Sequence, residues 1–290
     1  MGWLSKHEQH FRVAPKSEDE LLAQVKHLIE LMMLLNTLTN HGLRGEPIST
    51  LTERAIKYGE EFDWHQLAAF DASAATVIAM VADFFVARNL TPPLDLDYIR
   101  SLHSIGFFEG MDRIPFREMD LSYCLSLIIS PEFFKQLPAE FMNTTFGLRQ
   151  HLARYMVDDL YSLTHAVFYL TDFGRRQLAG LDNETVVRLK RELVALTAAM
   201  LRADNIDVLG ELLLCWLFCA IDDTPLHRIV FRKSMERMLS ATHPDGQVVP
   251  VLKMMPRAQA GETAFDDVYH TTLVSGMLYS LAAKEMPYVH

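Results

Sequence analysis

Apolar residues recur along this chain three and four positions apart over segment after segment, and runs that alternate apolar with polar residues between hairpin turns are nearly absent. That period predicts an all-α protein. Helix starts are announced locally: "SEDELLAQVKHLIELMMLLNTL" opens on Ser17 with acids in its first turn, and "NETVVRLKRELVALTAAMLRA" opens with Asn183 as an N-cap. Pro and Gly at "RGEP", "LTPP", "DRIP" and "HPDG" separate the helical stretches. Residues 1–16 read as an N-terminal extension and 17–290 as one helical domain.

A longer period lies over the helical one. Five strongly apolar segments, "FDASAATVIAM", "MDLSYCLSLII", "THAVFYLTDFG", "GELLLCWLFCA" and "YHTTLVSGMLY", superimpose with one ionisable residue near the head of each. Those residues are Asp71, Asp120, His165, Glu211 and His270. The segments between them, such as "NETVVRLKREL" and "PLHRIVFRKSMERML", are amphipathic. The spacing fits a helical hairpin as the repeating unit, with an inner apolar helix and an outer amphipathic one. About five to six such hairpins predict an α/α toroid or a strongly curved solenoid. Its inner helices run parallel, so their N-terminal ends share one rim.

Carboxylates at helix starts have an ordinary explanation, since free N–H groups and the dipole favour acids there. Two histidines in the same register have less reason to be caps. A neutral imidazole ligates zinc through either nitrogen, and two His with one or two carboxylates form a usable metal set. The expected divalent-metal ligands are His165, His270 and Asp120, with Glu211 the second choice of carboxylate and zinc the expected ion. Glu211 and Asp71 are the expected acid/base carboxylates. One turn deeper on the same faces lie Ala75, Cys124, Tyr169, Cys215 and Val274. Tyr169 is expected to orient a substrate, and Cys124, Cys215 and Tyr269 to line the cavity. "SATHPDGQVVP" reads as a connector, or as a lid folded over the rim. "TDFGRR" is no kinase motif, because no Gly-rich loop precedes it.

The segment "DDVYHTTLVSGMLYS" resembles the Asp-x-Tyr-His-Thr stretch of the protein prenyltransferase β subunit. That family is an α/α toroid, as are the terpenoid cyclases and lanthipeptide cyclases. The resemblance spans about fifteen residues and implies that His270 is a zinc ligand with Tyr269 beside it. The family's further ligands, an Asp and a Cys two residues apart, have no counterpart here, which sets prenyl transfer aside. "THAVFYLTDFG" is similar to segments of uncharacterised bacterial proteins encoded near peptide natural-product genes.

Composition narrows the function classes. A net charge of -10 gives a phosphate backbone little to bind. "GELLLCWLFCAI" is too short to span a bilayer. The start of the chain lacks the pattern of a signal peptide, and Cys124, Cys215 and Cys219 do not suggest a disulfide framework, so the expected location is the cytoplasm. Three functions fit. The first is a metal-dependent biosynthetic enzyme performing group transfer, cyclisation or hydrolysis on a natural-product or peptide intermediate. The second is a metal-free acid/base enzyme in the same cavity. The third is a helical-repeat scaffold that binds a peptide or small apolar ligand.

Overall fold

The computed structural model describes residues 1–64, 67, 75–110, 112–148, 155–178, 180–222 and 224–285, with backbone alone at 18, 19, 75, 76 and 285. Among the described residues the protein is all-α: the only β pairing is an isolated bridge between Thr242 and Val248. The helices are α1 (Gly2–Lys6), α2 (Glu18–Asn40), α3 (Glu46–Glu61), α4 (Ala75–Val86), α5 (Leu96–Ser104), α6 (Pro115–Ile128), α7 (Leu137–Phe141), α8 (Val157–Leu170), α9 (Asn183–Met200), α10 (Ile206–Phe218), α11 (Pro225–Ser240), α12 (Met255–Gln259) and α13 (Phe265–Glu285). Asp182 rather than Asn183 caps α9, its carboxylate accepting from the Thr185 N–H at 2.7 Å.

The chain divides into two compact units. An amino unit holds residues 9–36 and 51–149; a carboxy unit holds 1–8, 37–50 and 150–290. Within the amino unit α4 and α6 pack side by side, and Gly59 of α3 lets Met32 and Phe85 come within about 3 Å of where a Cβ would stand. In α2 the stretch Glu20–Asn40 is long and apolar enough to cross a membrane, but 67% of it is buried, as in a core helix.

The carboxy unit shows the two-layer hairpin pattern. α10 lies between α8 and α13. Contacts advance together along α8 and α10, from Tyr161 with Asp207 through Thr164 with Glu211 to Phe168 with Phe218, so these helices are parallel. Asp207 meets His270 and Thr271, and Gly210 meets Val274 further on, so α13 is parallel to α10 as well. The amphipathic α9 runs the other way: Lys190 bonds the Ala220 carbonyl past the end of α10, while Thr197 accepts from the Trp216 indole. α11 is also reversed, with Phe231 against Trp216 and Met238 against Gly210. Three inner helices and two outer ones result, with nearly every α10 side chain buried.

Residues 1–8, expected as an extension, are built into this unit. Trp3 and Leu4 are buried, and the Trp3 ring stacks on Phe265 at 5.6 Å. After α8 the chain turns through three residues with positive φ, Asp172, Phe173 and Gly174. A Cβ on Gly174 would stand 2.5 Å from Phe218, so the turn also requires glycine's bareness. Arg175 and Arg176 pair with the Asp172 carboxylate, so "TDFGRR" is a helix terminator.

Candidate functional site

The inner layer of the carboxy unit carries a buried polar cluster. Asp207 and Glu211 stand one turn apart on α10 and therefore share a face. Asp207 lies in the first turn, after Asn205, whose side chain caps the Val208 N–H at 3.0 Å. The inner helices begin earlier than their apolar runs suggest. Their first turns hold Asp158 and Asp159 in α8, Asp207 in α10, and Asp266 and Asp267 in α13. Acids that answer the helix dipole thus sit above His165, Glu211 and His270, which lie about a turn or more inside their helices.

Both oxygens of Asp207 are engaged. His270 Nδ1 lies 2.8 Å from Oδ1 and 3.0 Å from Oδ2; the Thr271 hydroxyl donates to Oδ1 at 2.6 Å and the Tyr161 hydroxyl to Oδ2 at 2.6 Å. Burial pushes this carboxyl up, but the bond from His270, the His270 charge and the bonds from Thr271 and Tyr161 outweigh it and hold the group below its ordinary value. Asp207 is therefore an anion that only accepts, and His270 Nδ1 must carry the proton of their bond. Nε2 then faces away from Asp207. Burial, followed by the Asp207 charge, pushes the Tyr161 phenol up, so it stays a donor.

His270 Nε2 points to Glu211, 3.7 Å from Oε1, and His165 Nε2 lies 3.7 Å from the same oxygen. The other oxygen, Oε2, accepts a short hydrogen bond from the buried Thr164 hydroxyl. Glu211 is 1% exposed, whereas His165 and His270 are 39% and 30% exposed, so the imidazoles form the side that solvent reaches. Among the described residues, one group of three or more His, Cys, Asp and Glu donors is close enough to hold a metal ion. It comprises Asp207, Glu211 and His270, with one donor atom of each within 4.8 Å of the others.

The structure thus brings together His165, Glu211 and His270 from three successive inner helices. Tyr169 is buried beside them, its ring edge-on to His165 at 6.4 Å and to Phe173 at 6.4 Å. Tyr269 is stacked on Phe265 at 5.2 Å and meets His270 edge-on at 6.3 Å. Cys215 is fully buried one turn below Glu211, 3.8 Å from the Thr164 carbonyl. Burial first, then Cys219 and Glu211, raises its thiol well above the ordinary value. Asp120 and Cys124 belong to α6 in the amino unit. Arg117 donates to Asp120 Oδ2 at 3.1 Å, and burial, then Asp120, raises the Cys124 thiol. Asp71 lies outside the described residues, as does the side chain of Ala75.

Four participants escaped the sequence reading: Asp207, Tyr161, Thr164 and Thr271. Asp207 had a legible signal, since it precedes Glu211 by four residues and so occupies the same face of the same helix. The three hydroxyl residues had none beyond their proximity to His165 and His270.

The fold and cluster define a helical-hairpin protein with a histidine–carboxylate centre on its inner helices. The chain matches, over residues 1–280, the family described as a domain of unknown function, DUF6895, and belongs to that family. No curated protein and no solved structure matches it.

Proposed function

We propose that this protein is a metal-dependent enzyme whose centre takes His270 Nε2 and Glu211 Oε1 as donors, with Asp207 orienting His270 and with His165, which stands outside the compact donor group, drawn in as the third donor when the ion binds. The observation that carries the reading is the meeting of two imidazole nitrogens at 3.7 Å from one buried carboxylate oxygen. That separation is too long for a hydrogen bond. Each Nε2–Oε1 separation taken alone is close to the roughly 3.4 Å between neighbouring donors around a tetrahedral zinc with bonds of about 2.1 Å, and the compact donor group itself holds His270 and Glu211 with Asp207. Asp207 on Nδ1 is the second support, because histidine ligands usually donate their other N–H to a carboxylate. The donor chemistry, imidazole with carboxylate, suits zinc best.

A bound divalent ion would supply Lewis acidity at the exposed edge of the imidazoles. The chain's own residues do the rest. Thr164 holds Oε2 of Glu211 so that Oε1 faces the histidines, Tyr161 and Thr271 hold Asp207, and the apolar inner helices keep water from the buried side. The reaction is hydrolysis, group transfer or cyclisation of a small natural-product or peptide intermediate. We place it in the cytoplasm, in keeping with three buried cysteines that form no disulfide.

A metal-free reading has one observation of its own. An imidazole bonded to a carboxylate through Nδ1 is also the arrangement that orients a general base. Metal analysis and zinc calorimetry on purified protein, with His165→Ala and His270→Ala alongside, separate the two. Stoichiometric zinc in the native protein that is lost in both variants supports the metal centre. Full occupancy retained in both removes it, and activity without metal that disappears in either variant favours the acid/base reading.

A further inference from the structure

We infer that the hairpin of residues 241–252 is a brace that sets α10 against α13, and that Thr272 is the positioning residue through which it holds the Asp207–His270 pair. Only the metal readout of this inference rests on the proposed centre; the geometry stands without it.

The segment is built as a rigid piece. The His243 N–H donates to the Gln247 carbonyl at 2.8 Å and the Val249 N–H to the Ala241 carbonyl at 3.1 Å, with Gly246 at positive φ in the turn. Gln247, Val248 and Val249 are all buried, which a mobile cover over a rim would not require. It grips α10 at its first residue: the Ile206 N–H, next to Asp207, donates to the Pro250 carbonyl at 2.8 Å. Two residues earlier, Asp204 Oδ1 accepts from the Leu252 N–H at 2.6 Å.

It grips α13 at two points. The Thr272 hydroxyl oxygen accepts from the Val248 N–H at 2.9 Å while donating to the Val268 carbonyl at 2.7 Å. Further along the helix, Tyr279 and Thr242 share a hydrogen bond of 2.9 Å. Thr271 and Thr272 are adjacent on α13, so successive hydroxyls face opposite duties. Thr271 binds Asp207 and Thr272 binds the hairpin. Polar bonds thus join α10 and α13 both directly at Asp207 and around the hairpin, in addition to their apolar packing. Removing the Thr272 acceptor leaves a buried N–H unpaired and loosens the hairpin at the turn of α13 that carries His270 and Thr271, while the Tyr279–Thr242 bond and the packing of Gly210 on Val274 hold the rest of the helix.

The test is Thr272→Val, which keeps the shape and loses the acceptor, with Thr272→Ser as the conservative variant. Long-range proton–nitrogen NMR of the His270 imidazole reports the Nδ1–H bonded to Asp207, and zinc titration reports the donors. Loss of the slowly exchanging Nδ1–H signal with about tenfold weaker zinc binding in Thr272→Val, both restored by Thr272→Ser, is the expected result. A folded Thr272→Val protein with the native imidazole signal overturns the inference. Should the native protein take no zinc, the proposed metal function fails while the imidazole signal still decides the brace. If Thr272→Val does not fold, Asp204→Ala releases the other grip, and the same two outcomes decide on it.

Discussion

Glu211 in the carboxy unit and Glu140 in the amino unit are both carboxylates set into the protein beside a hydroxyl. Thr164 donates to Glu211 Oε2, and Ser122 donates to Glu140 Oε1 at 2.6 Å. Their other oxygens differ. Glu211 Oε1 is faced by two imidazole nitrogens, whereas Glu140 Oε2 is buried with no hydrogen-bond partner. Burial, relieved in part by Ser122, leaves the Glu140 carboxyl above its ordinary value. A buried acid with one hydroxyl is therefore a cost to the fold. It becomes a candidate centre only where cations or protons can be supplied from a second and third helix.

The largest contrast is expected in zinc binding. Glu211→Gln should weaken it by more than about 100-fold, because a donor is lost rather than an outer partner, while Asp120→Asn should change it by less than about twofold. Calorimetry with zinc on both variants checks this, and equal losses would remove Glu211 as a donor.

Asp207→Ala comes next and acts on stability as well. It strips the acceptor from His270, Thr271 and Tyr161 together, which should cost about 3 kcal/mol in urea unfolding and weaken zinc by about 10- to 100-fold. Glu140→Ala, which frees a single serine hydroxyl, should cost about 1 kcal/mol or less. A similar loss in both would show that the Asp207 network is no more than an ordinary buried acid. Gly210→Ala should fall between them, at about 1–3 kcal/mol, since its Cβ would stand 2.9 Å from Val274 and 3.0 Å from Met238 and force α10 away from α13 and α11.

The same contrast explains what was legible in the sequence. The period of apolar residues gave the helices, and the alternation of apolar with amphipathic segments gave the inner and outer layers that the carboxy unit displays. The repeat placed His165, Glu211 and His270 at one level, and parallel packing of α8, α10 and α13 brings their side chains together. Asp120 has the same register in its segment and lies on α6 of the amino unit. On α6 the nearby Arg117 engages it. Asp207 stands out less in the sequence, since an acid in a first turn is sufficiently explained by the helix dipole. Only tertiary contact reveals that His270, Thr271 and Tyr161 converge on it.

The smallest effect, and the one that separates the acids most cleanly, is in the pH dependence of stability. Asp207 has a folded value below 3.8, so its contribution is fully present above that pH and is lost as pH falls through the folded value. Glu140 has a folded value above 4.5, so the fold is favoured while it is protonated and loses stability as pH rises from 4.5 through the folded value. The two slopes are opposite in sign. Glu140→Gln keeps a Ser122 partner and removes the charge, so it should stabilise the protein at pH 7 by less than about 1 kcal/mol, with the gain vanishing below about pH 4. Asp207→Asn should show the reverse, a deficit at pH 7 that narrows as the medium is acidified. Urea unfolding of both variants across this range checks the signs, and parallel curves would mean that the imidazole and hydroxyl partners of Asp207 do not hold its charge.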